Sequence, residues 1–227
     1  ALPYKGLPLH REIFLKASDI ANAKRDIPQI KQASPNIQPP YSFTATQGKK
    51  SFPVMVNGIG ANYLSIQTLG PSKGRFFNQQ DIDNHMMSII IGYQLKKTLF
   101  SSQPAIDKTV AINHIPFKVI GITDKNKGGF MAYFNRNSVY VPYTTAIDLY
   151  GNLNISHALF LPKKNITTKV FKETLLHYFA NQFHFSPKDS NALYFSDNTR
   201  SVQYFNSFFL AIRLFLYCFI TWRIKKQ

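Results

Sequence analysis

The sequence predicts an α+β protein, with a helix-and-strand unit at each end and a hairpin-rich middle between them. Three observations carry this expectation. Short apolar runs such as SIIIG (88–92) are bounded by turn residues, as strands are. Stretches with helical spacing, YQLKKTLF (93–100) and NITTKVFKETLLHYFANQF (165–183), stand between such runs. The composition is that of a folded chain: 44% hydrophobic, 15% aromatic and only 17% charged over 227 residues. That length suits one or two domains with a sizeable core.

The elements follow in order. ASDIANAKRDIPQIKQ (17–32) reads as a helix capped by Ser18 or Asp19, which Pro28 ends or kinks because its ring clashes with the preceding turn. SPNIQPPYSFTATQGKKSFPVMVNGIG supplies two extended segments, 41–47 and 51–59, joined by the turn Gly48-Lys49-Lys50. ANYLSIQTL (61–69) is a short helix or turn, and SIIIG is a buried strand leading into the amphipathic helix YQLKKTLF. KTVAINHIPFKVIGITD (108–124) is a hairpin: Val110 and Ile112 alternate, Asn113-His114 turn, and Phe117, Val119 and Ile120 return. NSVYVPYTTAIDLYG (137–151) gives a strand broken by Pro142, then a threonine-capped helix that ends at Gly151. SHALFLPKK (156–164) is a strand, followed by the helix 165–183 with Val170, Leu175, Phe179 and Phe183 toward one face. ALYFSD (192–197) closes a β-α-β unit as a strand, and the opening third reads as a matching unit of a helix followed by strands.

Lysine and arginine number 27 against 11 acids, a formal net charge of +16 that attracts anionic partners. The densest basic runs are four lysine pairs, 49–50, 96–97, 163–164 and 225–226, spread along the chain. No arginine-rich arm, zinc-finger spacing or RNP-like aromatic box accompanies them, so nucleic acid is not the expected partner. Cys218 stands alone, which excludes an intrachain disulfide. ALPYKGLPLH has no apolar core of a signal peptide. The run FNSFFLAIRLFLYCFITW (205–222), with the cationic flank Arg223, Lys225 and Lys226, reads as the start of a membrane helix; a buried C-terminal helix is the other reading.

Residues that would carry chemistry are not arranged to do so. The six histidines, His10, His85, His114, His157, His177 and His184, show no H-E-x-x-H spacing. His177 and His184, seven apart, reach one helix face but lack a third ligand. GGFMAYF (128–134) lacks the Lys-Ser/Thr of a phosphate loop and reads as a loop tip presenting Phe130, Met131 and Tyr133, which either pack home or form a contact patch. Asp81 and Asp83 lie two apart and do not face each other. Asn154-Ile155-Ser156 and Asn165-Ile166-Thr167 fit the N-glycosylation pattern, a weak signal. No catalytic, cofactor-binding or metal-ligating residue is expected, and the chain does not read as an enzyme.

The order of segments is more specific than any one of them. FPVMVNGIGANYLSIQTLGPSKGRFFNQQD leads to SIIIGYQLKKTLF, then to KTVAINHIPFKVIGITDKN, then to SVYVPYTTAIDLYG. Over roughly residues 10–210 this resembles the periplasmic core domain of MacB-like ABC transporter permeases, the group that includes lipoprotein-releasing permeases and relatives of FtsX. The resemblance rests on Gly58, Tyr63, Leu64, Gly74, Arg75, Phe77, Asp81, Ile91, Gly92, Leu99, Phe100, Phe117, Val119, Ile120, Gly121, Val141, Pro142 and Ala146. It implies a porter-like subdomain of two β-α-β units, residues 1–58 with 153–203. A mostly-β, sabre-like subdomain at 59–152 would be inserted into it, with residues 204–227 starting a transmembrane helix.

The function implied is a non-catalytic periplasmic domain at the bacterial inner membrane that couples cytoplasmic ATP hydrolysis to periplasmic movement for export. The implied partners are a second permease copy, an ATP-binding subunit or domain and a periplasmic adaptor protein. Binding a lipoprotein or its chaperone is the alternative within the family, and a basic soluble nucleic-acid-binding protein the alternative outside it. No ATPase motif is present. In this setting GRFFNQQD (74–81) is expected to be scaffold: Gly74 turns the chain, Phe76 or Phe77 plugs a core, and Arg75 and Asp81 tie the loop ends. Arg75 as a partner contact is the functional alternative.

Overall fold

Among the described residues nine strands share one sheet, and six of them close into a ring. The computed structural model describes residues 7, 12–124, 137–151, 154–189 and 192–197. Along the chain run α1 (Ala17–Asp26), β1 (Ile30–Ile37), β2 (Phe43–Gln47), β3 (Lys50–Ile59), α2 (Tyr63–Ile66), β4 (Pro71–Gly74), α3 (Gln79–Asp83) and β5 (Ser88–Ile91). Then come α4 (Tyr93–Phe100), β6 (Thr109–Ile112), β7 (Ile115–Thr123), β8 (Ser138–Pro142), α5 (Tyr143–Tyr150), β9 (His157–Pro162) and α6 (Thr168–Phe183). The strand order β2-β6-β7-β5-β8-β3 is closed by pairing of β2 with β3; β1 and then β9 extend from β3, and β4 adds to β7. The β3–β8 and β5–β7 pairs are parallel, the others antiparallel.

The alternation of each ring strand decides which core its side chains join. Val54 and Val56, Ile89 and Ile91, and Val139 and Val141 point inward with Phe117, where Leu95, Leu99 and Phe100 of α4 also pack. The intervening Ile59, Ile90 and Tyr140 face outward onto a second core with Tyr63 and Leu64 of α2, Phe77 of the GRFFNQQD loop and Ile82 of α3. A third core lies under α1 and α6, on the layer formed by β1 and β9, and holds Ile20, Ala23, Ile30, Phe171, Leu175 and Phe179. Each fully buried side chain of this kind contributes about 1.5–3 kcal/mol. At the β6–β7 turn Asn113 and His114 take φ of 45° and 71°, the left-handed pair that a two-residue hairpin requires. The same Asn113 exchanges bonds with Thr44 of β2, its Oδ1 accepting from Thr44 N at 2.8 Å, so the turn also seals the ring.

Several elements differ from expectation, each for a local reason. The first helix stops at Asp26, since Ile27 precedes Pro28 and is pushed to extended angles. Residues 30–32 therefore belong to strand β1 and not to the helix. Asp19 is not the cap residue but lies three positions into the helix, where its carboxylate accepts from Lys16 N at 2.7 Å. β4 and α3 carry no periodicity long enough to be seen in advance. Helix α5 follows Pro142 without a threonine cap; Thr144 and Thr145 donate to Ile82 O (2.6 Å) and Met86 O (3.1 Å) and tie the helix down. In α6, capped by Thr167, Val170 is exposed, and Phe171, Leu175 and Phe179 form the buried stripe. Residues 192–197 form no strand. Phe195 instead packs onto the third core with Lys172 Nζ 5.6 Å from its ring centre.

Candidate functional site

The GRFFNQQD loop is built by a close approach of two strands. Gly74 ends β4 opposite Gly121 of β7. A Cβ at Gly74, which has φ +72°, would lie 2.1 Å from Ile120 O, and one at Gly121 would lie 2.2 Å from Arg75 O. Only glycines allow the two backbones this distance. The next residue, Arg75, donates its backbone N–H to Ile120 O at 3.0 Å. Phe77 is then 5% exposed in the second core, with Phe76 packed beside it. Asn78 caps α3: its Oδ1 accepts from Asp81 N (2.9 Å), and Asp81 Oδ2 accepts from Asn78 N (2.8 Å).

Arg75 closes the loop with a two-pronged bond to Asp81, at 2.5 and 2.9 Å, and reaches Phe76 O at 3.0 Å. The guanidinium holds the buried Asp81 carboxyl below the usual carboxylate range, and Asp81 in turn raises Arg75. The Arg75 side chain is half exposed at the rim of an open groove of about 430 Å³. Ile106 and Ile120 line that groove with the ion pair Asp107–Lys118 (2.8 Å).

A second polar site sits where β1 and β9 meet β3 and α2. Asn36 of β1, 1% exposed, donates through Nδ2 toward Asn57 Oδ1 (3.2 Å) and the Tyr63 hydroxyl (2.9 Å). Gln67 donates to the same hydroxyl at 3.1 Å. The Tyr63 oxygen thus accepts from two amides, and its own proton goes to His157 Nε2 at 2.8 Å. That arrangement makes His157 Nε2 the acceptor, and partial burial lowers the pKa of His157. Burial likewise raises the pKa of Tyr63. Asn36 Oδ1 is buried with no partner among the described residues.

The chemistry of the two sites is positional. Among the described residues no group of three His, Cys, Asp or Glu side chains gathers for a metal. His184 caps the end of α6 in a left-handed conformation instead of continuing the face that carries His177. His85 pairs with Asp148 on the surface. Phe130, Met131, Tyr133 and the apolar run 205–222 lie outside the described residues, among which no helix is long and apolar enough to cross a membrane.

Sequence reading found Arg75, Phe77 and Asp81. It missed the junction cluster, whose members lie between 21 and 121 residues apart from Asn36; only Tyr63 was marked, by the resemblance.

A family model for MacB-like periplasmic core domains matches residues 6–176. The macrolide export ATP-binding/permease protein MacB of Rhodopseudomonas palustris (strain BisB18) is 30% identical over 172 residues, 74% of this chain and 26% of that protein. Its counterpart in Aggregatibacter actinomycetemcomitans is 32% identical over 136 residues, 59% of this chain and 20% of that protein. The chain thus spans about a quarter of the length of these curated relatives. The crystal structure of the periplasmic region of MacB from Actinobacillus actinomycetemcomitans superposes with a TM-score of 0.66 at 24% identity, covering 77% of each chain. The extracellular domain of the noncanonic ABC-type transporter YknZ from Gram-positive bacteria gives a TM-score of 0.63 at 19% identity, over 77% of this chain and 87% of that one. Both share its fold.

Proposed function

The chain belongs to the family of MacB-like periplasmic core domains of ABC transporter permeases, and we propose that it transmits ATP-driven motion from the cytoplasmic side of the membrane to a periplasmic assembly. In this reading it lies outside the bacterial inner membrane. Its partners are a second permease copy, an ATP-binding subunit or domain and an adaptor protein, and the cargo is exported. The observation that supports it most is β3, a ten-residue strand that belongs to two bodies at once. Its first half pairs with β2 inside the ring, and Gly58 and Ile59 pair with β1 of the end layer. A continuous strand transmits displacement without needing a reactive group, because packed elements move as rigid bodies. The division into a discontinuous end subdomain (1–58 with 153–203) and an insert (59–152) is part of this proposal, with β2 and the first half of β3 reaching from the former into the ring. Arg75 and the segment with Phe130, Met131 and Tyr133 are its proposed contact points.

The test is nucleotide-dependent cross-linking in membranes. A single cysteine replaces Asn154, which is exposed, in a chain whose Cys218 is changed to serine. Expected is a yield of linked dimer that changes when ATP hydrolysis is arrested in the co-expressed ATPase, with labelling by an impermeant thiol reagent from outside the inner membrane. Labelling only from the cytoplasmic side, or a yield indifferent to nucleotide, overturns the proposal.

A further inference from the structure

Two of the four lysine pairs that lie far apart in sequence meet at one pole of the ring. Lys49 and Lys50 form the β2–β3 turn, and Lys96 and Lys97 lie on α4. Lys50 Nζ donates to Ser101 Oγ at 2.7 Å, and Lys96 Nζ to Ser101 O at 2.8 Å, so two ammonium groups converge on a single serine just past the end of α4. Lys49 and Lys97 are exposed beside them. All eleven acids of the chain fall within the described residues, and none pairs with any of these lysines. The α4 carbonyl end attracts cations, which accounts for one or two of them. Four like charges without a counter-charge repel one another, and an anionic partner would relieve that repulsion.

We propose that this lysine pole is a docking surface for an acidic segment of a partner protein. The bonds to Ser101 hold two of the ammonium groups in place beforehand, which lowers the ordering cost of binding. The choice of a protein over a lipid surface rests on the permease reading. β3 runs nine residue steps from Lys50 to Ile59, so the pole lies about 30 Å along the strand from the β1 junction. With the end layer on the membrane side, that distance is several times the screening length of about 8 Å at physiological salt. The headgroups below are then out of reach, whereas an adaptor or other soluble partner is not.

The test uses the 227-residue chain in detergent and a fluorescein-labelled oligoglutamate peptide, followed by anisotropy. Lys49→Glu/Lys97→Glu is compared with Lys163→Glu/Lys164→Glu, which makes the same charge change on exposed residues beside β9 and α6. We expect the pole variant to bind at least about tenfold more weakly and the control less than about threefold, with the difference shrinking as salt rises. Equal losses in the two variants, or none in the first, overturn the proposal. So do phosphatidylglycerol vesicles that displace the peptide with the same dependence on the pole. An unfolding midpoint for each variant guards against loss of fold, and Lys49→Gln/Lys97→Gln repeats the comparison without new acids. The peptide assay needs neither ATP nor a membrane, so its failure is separable from failure of the cross-linking experiment.

Discussion

In the ring every strand has at least two neighbours, whereas β9 in the end layer has only β1 among the described residues. The burial follows that difference. Ile89, Ile91, Val139 and Val141 are all at 0% exposure, while no residue of β9 is fully buried. Closure removes the strand edges and lets one set of alternating side chains fill an enclosed core. An open two-strand layer depends on helices to cover it, here α1 and α6. The difference teaches which part of the molecule is stiff and which can yield.

Truncating matched phenylalanines on the two sides tests this most directly. Phe117→Ala inside the ring is expected to cost about 3–5 kcal/mol, because the closed strands cannot collapse onto the cavity. Phe179→Ala, equally buried under α6, is expected near the lower end of that range, since α6 can settle toward β9. Denaturant titration of both variants measures it, and a larger loss at Phe179 would reverse the ranking.

The ion pairs sharpen the same contrast at smaller magnitude. Asp81→Ala leaves Arg75 and the Asn78 N–H without their acceptor and is expected to cost about 2–3 kcal/mol. Asp26 lies at the exposed end of α1, where it pairs with Arg25 and accepts from the Tyr178 hydroxyl at 2.8 Å, and should lose less on the same change. Thermal unfolding of the two alanine variants side by side gives the comparison, and similar losses would mean that Asp81 is not held as described.

The smallest effect belongs to the junction between the two regions. His157 has its folded pKa depressed, so the unfolded chain binds more protons and stability rises with pH. Its contribution is present in full above the unfolded value of about 6.5 and is lost as pH falls from there through the folded value. His157 is partly open to solvent, so the effect is expected to stay below about 1 kcal/mol. Between about pH 7.5 and pH 5.5 the denaturation midpoint of the wild type should fall further than that of His157→Gln. Parallel slopes would show that the Tyr63–His157 bond carries no proton-sensitive stability.

Much of the fold was legible because its signals are local. SIIIG, the Asn113-His114 turn and YQLKKTLF each declare themselves within eight residues, and all three appear where the sequence puts them. β1 was not legible: IKQASPNI has no alternation and contains a proline, and it is a strand because β3 and β9 flank it. The 192–197 segment has strand-like residues without a partner strand among the described residues, so composition misled there. Of the candidate sites, Arg75 and Asp81 lie six residues apart and could be paired on paper. Asn36, Tyr63 and His157 could not.

The sequence by itself determined most of the helices and strands in their order, the hairpin turns, the glycine that turns the chain at Gly74 and the sign of the charge. Periodicity, backbone conformation and ionisation are properties of a residue and its near neighbours. Only the tertiary structure decided that six strands close into a ring, that an asparagine, a tyrosine and a histidine share one proton network, and that two distant lysine pairs become one pole. Those depend on which strands find each other across the chain, and that is settled by burial of the whole apolar surface at once.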